Sequence, residues 1–176
     1  MTGPRRKDSS ARDRAIRFLE ARDRSCKEVK ERLLRAGEVE EDVQDAVEWL
    51  EELGYLDDRR FAATLAGEKV RAGWGPHRIR AELLRKGVAR SIVGEIVGEG
   101  YQAEVFVNVA GGEEGVEDRL VNLVQRRYRR DLERDPEKGR NKVAGFLARR
   151  GHDWDLVNSV LRRVAGENGP GSENSA

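Results

Sequence analysis

Residues 54–62 read Gly54-Tyr-Leu-Asp-Asp-Arg-Arg-Phe-Ala62, and residues 74–88 read Trp74-Gly-Pro-His-Arg-Ile-Arg-Ala-Glu-Leu-Leu-Arg-Lys-Gly-Val88. Gly54 follows an apolar run and suits the end of a helix, where a positive φ is wanted. Asp57 or Asp58 can cap the next helix, because a carboxylate there accepts backbone N–H groups. Pro76 suits the first turn of a further helix, which Gly87 ends. The pattern therefore predicts two short helices with a break between them.

Apolar residues in both predicted helices recur at helical spacing. In the first helix, one face carries Phe61, Ala62, Leu65, Ala66 and Val70. In the second helix, the apolar stripe consists of Ile79, Leu83 and Leu84. This spacing predicts that one side of each helix is buried.

The pattern around Gly87 occurs three times, centred on Gly37, Gly87 and Gly151. Apolar residues lie eight and four positions before each glycine and six and ten positions after it: Val29, Leu33, Val43, Val47, Ile79, Leu83, Val93, Val97, Val143, Leu147, Val157 and Leu161. The first two glycines are 50 residues apart and the last two are 64 apart, so the third copy has 14 extra residues ahead of it. We predict an all-α fold, an elongated array of three tandem three-helix (helix-turn-helix-like) repeats stabilised by stacking.

The repeats predict where the chain divides. We expect disordered tails at both ends, because these segments are polar and lack periodicity. Val105–Val109 has strand character, but an isolated strand has no partner, so we interpret it as a loop or the start of a longer helix. The expected segments are a basic tail at 1–10, repeats at 11–53, 54–100 and 101–165, an insertion near 101–115, and a tail at 166–176.

Two features near residue 25 concern local structure. Ser25 and Glu28 have the spacing of a capping box, in which each side chain bonds the other residue's backbone N–H. Cys26 is the only cysteine, which rules out an intrachain disulfide and fits a reducing compartment. We expect its thiol to be a small core group rather than a nucleophile.

The charge of the chain is segregated. Charged residues make up 38% of the 176 residues and the formal net charge is only +1. Residues 28–58 nevertheless carry a net −9, whereas residues 59–93 and 119–150 each carry +7. This pattern favours a polyelectrolyte or a charged protein surface as partner, and the alternative is simple solvation of exposed helix faces. The chain has no apolar run of 18 residues and no apolar N-terminal signal, so we expect a cytoplasmic protein without a membrane partner.

The sequence lacks the marks of a catalytic site. His77 and His152 begin helices in different repeats and share no metal-ligand spacing with Cys26. No phosphate-binding glycine motif follows a strand. The pair Asp57-Asp58 is better explained as a helix cap than as a metal site or an acid/base dyad. We therefore expect a binding protein that is not an enzyme and uses no cofactor.

The motifs Gly54-Tyr-Leu-Asp-Asp-x-x-Phe-Ala and Gly75-Pro-x-x-Ile-x-x-Glu-Leu-x-x-Lys-Gly-Val88 resemble the two central motifs of the RecX regulatory proteins. Ser25-x-x-Glu-Val-x-x-x-Leu-x-x-x-Gly37 and Leu147-x-x-x-Gly151 also resemble that family, and the resemblance covers residues 11–165. It implies a bacterial or organelle modulator that lies in the groove of the RecA–DNA filament and inhibits ATP hydrolysis and strand exchange. It implies no individual contact residues.

We predict that the contact surface is basic and that DNA contact is weak and non-specific. The candidate residues are Arg71, Arg78, Arg80, Arg85, Lys86, Arg126, Arg127, Arg129, Arg130, Arg149 and Arg150. Trp74 either packs over the junction between repeats or is an exposed anchor for a partner. Trp49 and Trp154 are expected to pack, with partial exposure possible for both. The expected partner is the RecA filament and the expected state is a monomer. The alternatives are a stand-alone DNA-binding helix-turn-helix module and a helical scaffold for another protein.

Overall fold

A computed structural model describes residues 10–98 and 115–166. Within these two stretches the chain forms nine α-helices in three consecutive triplets and no strand. The helices are α1 (Ala11–Leu19), α2 (Cys26–Arg35), α3 (Glu40–Glu52), α4 (Asp58–Arg71), α5 (Pro76–Arg85), α6 (Arg90–Ile96), α7 (Val116–Arg134), α8 (Pro136–Arg149) and α9 (Trp154–Val164). The prediction of an all-α fold with tandem three-helix repeats is confirmed.

The three aligned glycines end the second helix of each triplet in the same way. Their φ angles are +88° at Gly37, +85° at Gly87 and +82° at Gly151, which is the left-handed region that favours glycine. In each case the residue after the glycine donates its N–H to a carbonyl near the helix end, which satisfies an orphan acceptor. These bonds join Glu38 to Leu33 (3.2 Å), Val88 to Leu83 (3.1 Å) and His152 to Leu147 (3.3 Å).

Local capping also agrees with the sequence. The Ser25 hydroxyl accepts the Glu28 N–H at 3.2 Å, and the Glu28 carboxylate accepts the Ser25 N–H at 3.4 Å. Asp57 caps α4, because its Oδ1 accepts the N–H groups of the second and third residues of that helix at 2.8 and 3.0 Å. Asp58 has a different role, since its carboxylate accepts the Cys26 N–H at 2.9 Å.

The described chain divides into two compact units. The first comprises residues 10–65 and 82–96, and the second comprises residues 66–81, 97–98 and 115–166. One core of the first unit is lined by Ala11, Ala15, Val29, Leu33, Val43, Ala46, Val47, Leu50 and Leu56. One core of the second unit is lined by Leu120, Val121, Val124, Val143, Phe146, Leu147, Val157 and Val160.

The half-buried side chain of Cys26 packs against the core of the first unit. Burial raises the pKa of its thiol well above the usual value, and a hydrogen bond to Glu51 at 3.2 Å adds to the shift. This environment matches the expected core group and disfavours the thiolate that a nucleophile requires.

Two side chains are more exposed than expected. Leu84 was predicted to be buried but is 39% exposed. The buried line of α5 runs through Ile79 and Leu83, which are one turn apart, and Leu84 lies about 100° further round the helix. Trp49 is half-buried against the first core, whereas Trp154 is 61% exposed in the first turn of α9, before the packed residue Val157.

Several sequence predictions fall on parts of the chain that the structure does not describe. These are most of both predicted tails, the strand-like stretch 105–109, and the insertion except for residue 115. Helix α7 begins at Val116. No helix in the described residues is long and apolar enough to cross a bilayer.

Candidate partner-binding surface

Nine of the eleven candidate basic residues lie in the second compact unit, and the other two lie in the first. The first-unit pair consists of Arg85, the last residue of α5, and Lys86, which follows it. The second-unit residues are distributed over α4, α5, α7 and α8. Each unit therefore presents its own candidate surface.

In the first unit, both candidate side chains have acidic partners within the chain. The Lys86 ammonium pairs with Glu28 at 2.6 Å, and its backbone carbonyl accepts the Ser25 hydroxyl at 2.6 Å. The Arg85 guanidinium forms two hydrogen bonds with Glu82, at 2.6 and 3.0 Å. These contacts neutralise much of the positive charge, so the pair has an evident structural role.

The carboxylate of Glu28 is the centre of this network. Burial alone would raise its pKa, but hydrogen bonds from Arg22 and Lys86 outweigh that effect and lower the pKa to about 2. Arg22 bonds both oxygens of the carboxylate, at 2.9 and 3.2 Å. One carboxylate thus holds the start of α2 against the end of α5.

In the second unit, a backbone junction joins the turn before α5 to the turn after α8. The Gly75 N–H donates to the Arg150 carbonyl at 2.7 Å, and the His77 N–H donates to the Gly151 carbonyl at 3.2 Å. A Cβ atom on Gly75 would lie 2.2 Å from the Gly151 carbonyl oxygen. Only glycine at position 75 allows the two backbones to approach this closely.

Both histidines lie at this junction. The sequence places them in separate repeats and gives no sign that they are close in space. His77 Nε2 lies 2.6 Å from an Asp153 carboxylate oxygen, and His152 Nε2 lies 3.1 Å from the Gly73 carbonyl. His152 is buried, and this burial lowers the pKa of its imidazole. No cluster of three potential metal ligands occurs in residues 10–98 and 115–166. The contacts of both histidines stabilise the junction.

Three candidate arginines converge beside this junction. Arg150 is half-buried, donates to the Ala72 carbonyl and stacks on Phe146 with its guanidinium carbon 4.7 Å from the ring centre. The Arg127 guanidinium lies 5.3 Å from the same ring. Burial lowers the pKa of Arg150, and repulsion from Arg127 and Arg78 lowers it further. The Arg78 guanidinium donates to the carbonyl of Arg149, the residue before Arg150, at 3.5 Å. The structure therefore brings Arg78, Arg127 and Arg150 into one positive cluster, which we call the junction arginines.

Trp74 lies next to this cluster and is half-buried. The Arg78 guanidinium lies 3.9 Å from its ring centre, and the Lys69 ammonium lies 5.1 Å from it. Cations are attracted to the face of an indole ring, so Trp74 holds both side chains near the junction. Stacking on the indole therefore helps to hold the Arg78 guanidinium in place.

The remaining candidates of the second unit are exposed. Arg129 pairs with Glu133 one turn along α7 at 2.8 Å. The Arg80 guanidinium donates to the Val97 carbonyl at 2.6 Å and thereby satisfies an acceptor beyond the end of α6. The exposed set on this unit consists of Arg71, Arg78, Arg80, Arg126, Arg127, Arg129, Arg130 and Arg149.

Comparison with known proteins gives a consistent result. Models of the first, second and third three-helix domains of RecX match residues 11–50, 57–95 and 115–161. Regulatory protein RecX of Trichlorobacter lovleyi is 32% identical over 151 residues, covering 85% of this chain and 92% of the relative. Regulatory protein RecX of Chlorobaculum tepidum is 30% identical over 162 residues, covering 92% of each chain.

The fold agrees with a solved structure. The crystal structure of RecX from Lactobacillus salivarius superimposes with a TM-score of 0.71 and 17% sequence identity, over 88% of this chain and 94% of that one. At this identity the likeness concerns the fold, and the sequence matches concern the family. The chain therefore belongs to the RecX family of regulatory proteins.

Proposed function

We propose that this protein regulates homologous recombination by binding in the groove of the RecA–DNA filament and inhibiting ATP hydrolysis and strand exchange. Membership of a regulatory family supports a regulator, and the resemblance supports RecA as its target. The observation that carries the proposal is the cluster of Arg78, Arg127 and Arg150. These guanidiniums belong to the second and third repeats. Arg127 and Arg150 both lie against the Phe146 ring, and Arg78 donates to the carbonyl of Arg149 at 3.5 Å.

The cluster is suited to an anionic partner. A carboxylate or phosphate beside several guanidiniums forms charge-assisted, often bidentate hydrogen bonds and relieves the repulsion between them. The hydrogen bonds of Gly75 and His77 hold the cluster in place, so little ordering is needed on binding. A protein that binds one filament geometry better than others shifts the population toward that geometry. Inhibition then follows because hydrolysis and strand exchange require the subunits to move.

The protein acts as a monomer in the cytoplasm, performs no catalysis and requires no cofactor. It contacts DNA weakly and without sequence preference, through phosphates close to the filament surface.

The direct test is the ATPase rate of RecA on single-stranded DNA with increasing amounts of this protein. We expect the wild-type protein to lower the rate in a saturable way. The double variant Arg78→Glu/Arg127→Glu should require at least about tenfold more protein, because it reverses two charges of the cluster. Arg17→Glu is the single-charge control, since Arg17 is exposed on α1 in the first unit. An unchanged ATPase rate at saturating wild-type protein would reject the proposal.

A second candidate function is DNA binding without RecA. It is favoured by four of the six arginines of α7, namely Arg126, Arg127, Arg129 and Arg130, all of which are exposed. Binding to duplex DNA should then weaken steeply with salt, with a log–log slope of about −0.9 for each phosphate neutralised. A flat salt response would count against this candidate and leave the filament contact as the better explanation.

A further inference from the structure

The second unit has an apolar groove whose lining includes none of the junction arginines. It lies between the C-terminal halves of α7 and α9 and is closed at one end by the start of α8. Its volume is about 750 Å³. The lining residues are Gln125, Arg126, Arg129, Leu132, Glu133, Pro136, Arg140, Leu161, Val164 and Ala165.

The floor of the groove is continuous with the core of the third repeat. Leu132, Leu161 and Val164 pack against that core while remaining partly exposed. Pro136 and Ala165 extend the apolar surface on the solvent side. Partly exposed aliphatic side chains between two helices form the kind of surface that a further helix covers in bundles.

The rim of the groove is mainly basic. Arg126, Arg129 and Arg140 line it, together with one carboxylate, Glu133. Glu133 pairs with Arg129 at 2.8 Å, so the positive charge of the rim that it leaves comes from Arg126 and Arg140. Arg130, on the same helix, is also exposed. The charge complementary to this rim is negative, so a partner needs carboxylates beside its apolar residues.

We infer that this groove binds an acidic amphipathic helix of a partner protein. The lining residues of α7 run from Gln125 to Glu133, which is about 12 Å at 1.5 Å per residue. That length accommodates two to three helical turns. The partner helix therefore places apolar residues at positions i, i+4 and i+7 in the groove and carboxylates on either side.

Neither residues 1–9 nor residues 167–176 combine the large apolar side chains and the net negative charge that the groove calls for. Residues 167–176 contain no apolar side chain larger than proline, and residues 1–9 are net basic. Residues 99–114 contain apolar side chains and four glutamates with no basic residue, so they are a competing occupant that the experiment must separate.

The test uses a 12-residue stapled helical peptide with leucine at positions 2, 6 and 9, glutamate beside each leucine, and alanine elsewhere. It is added to the full-length protein labelled at leucine and valine methyl groups for NMR. We expect saturable shifts of the methyl signals of Leu132, Leu161 and Val164. Two control peptides, one with the leucines dispersed around the helix and one with lysine in place of glutamate, should bind at least about tenfold more weakly.

Variants of the protein make the test specific to the groove. Arg126→Glu should weaken binding of the acidic peptide by about tenfold, because it reverses one rim charge without removing core contacts. Arg17→Glu is the matched control and should bind as the wild type does. Leu161→Asp should abolish binding, and because Leu161 also contacts the core, its circular dichroism spectrum must first match that of the wild type.

Three results would overturn the inference. The first is equal binding of the acidic and dispersed peptides, and the second is equal weakening by Arg126→Glu and Arg17→Glu. The third is movement of the groove methyl signals, without any peptide, when residues 99–114 are replaced by a Gly/Ser linker of equal length. That result would identify the chain itself as the occupant. No recombinase is present in this experiment, so its outcome is independent of the ATPase test.

Discussion

Substitution of Gly75 by alanine should separate the second repeat from the third. The added Cβ would lie 2.2 Å from the Gly151 carbonyl oxygen and 2.5 Å from the His152 nitrogen, both of which are backbone atoms. The two backbones must move apart by about 1 Å before the first contact becomes tolerable, since ordinary contacts begin near 3.4 Å. The hydrogen bonds from Gly75 (2.7 Å) and His77 (3.2 Å) then exceed hydrogen-bonding distance.

The size of the effect follows from these contacts. Two backbone hydrogen bonds are worth about 1 kcal/mol each. Steric overpacking adds about 1–3 kcal/mol, part of which the backbone movement relieves. We therefore expect Gly75→Ala to lower the free energy of unfolding by about 2–4 kcal/mol, and the melting temperature by about 5–15 °C for a chain of this size. The φ angle of Gly75 is not positive, so Gly75→Ala tests the close approach alone. At Gly151, where φ is +82°, alanine would also add backbone strain.

Gly94→Ala is the matched control, because the same substitution there should have the opposite sign. Gly94 lies within α6 and an added Cβ meets nothing within 4 Å. Alanine in a helix interior is more favourable than glycine by up to about 1 kcal/mol. Urea denaturation gives both changes, and hydrogen exchange at residues 75 and 77 reports the junction directly. A Gly75→Ala protein as stable as the wild type, with both amides still protected, would refute the close approach.

Three further predictions concern the caps and the titrating groups. Ser25→Ala should lower the free energy of unfolding by about 1–2 kcal/mol, because Ser25 is fully buried and bonds both Glu28 and the Lys86 carbonyl. Ser10→Ala removes an exposed cap, so it should lower the free energy of unfolding by less in the same urea titration. The Glu28 pKa is about 2 in the folded protein against an ordinary value of 4.5, so its contribution to stability is present above about pH 4.5 and is lost as the pH falls toward 2. Glu28→Gln should flatten that part of the pH–stability curve, and an unchanged slope would contradict this. Burial lowers the pKa of His152 below 6.5 in the folded protein. Its contribution to stability is therefore present above pH 6.5 and declines as the pH falls through the folded pKa. A midpoint at or above 6.5 in an NMR titration of His152 would contradict this pKa shift.

The candidate surface was only partly accessible from the sequence. The basic character of α7 could be inferred, because Arg126, Arg127, Arg129 and Arg130 are adjacent in the chain and all four are exposed. The structural role of Lys86 could not, because its partner Glu28 is 58 residues away. A pattern of charges along a helix indicates that the helix has a charged face, but it does not indicate which charges are neutralised within the fold.

Helix ends and buried faces are determined by neighbours in the chain, and for this protein the sequence determined them well. Left-handed glycines, capping residues and apolar residues one turn apart act within a few positions of each other, so Gly37, Gly87 and Gly151 identify the triplets on their own. Contacts between triplets were decided only by the tertiary structure. His77 contacts Asp153 across 76 residues, and Arg78 donates to the Arg149 carbonyl, because Gly75 lets the two turns come into contact. The apolar pattern is the same in every repeat, so it specifies that triplets pack but leaves the polar residues that face each other to be set by the packing itself.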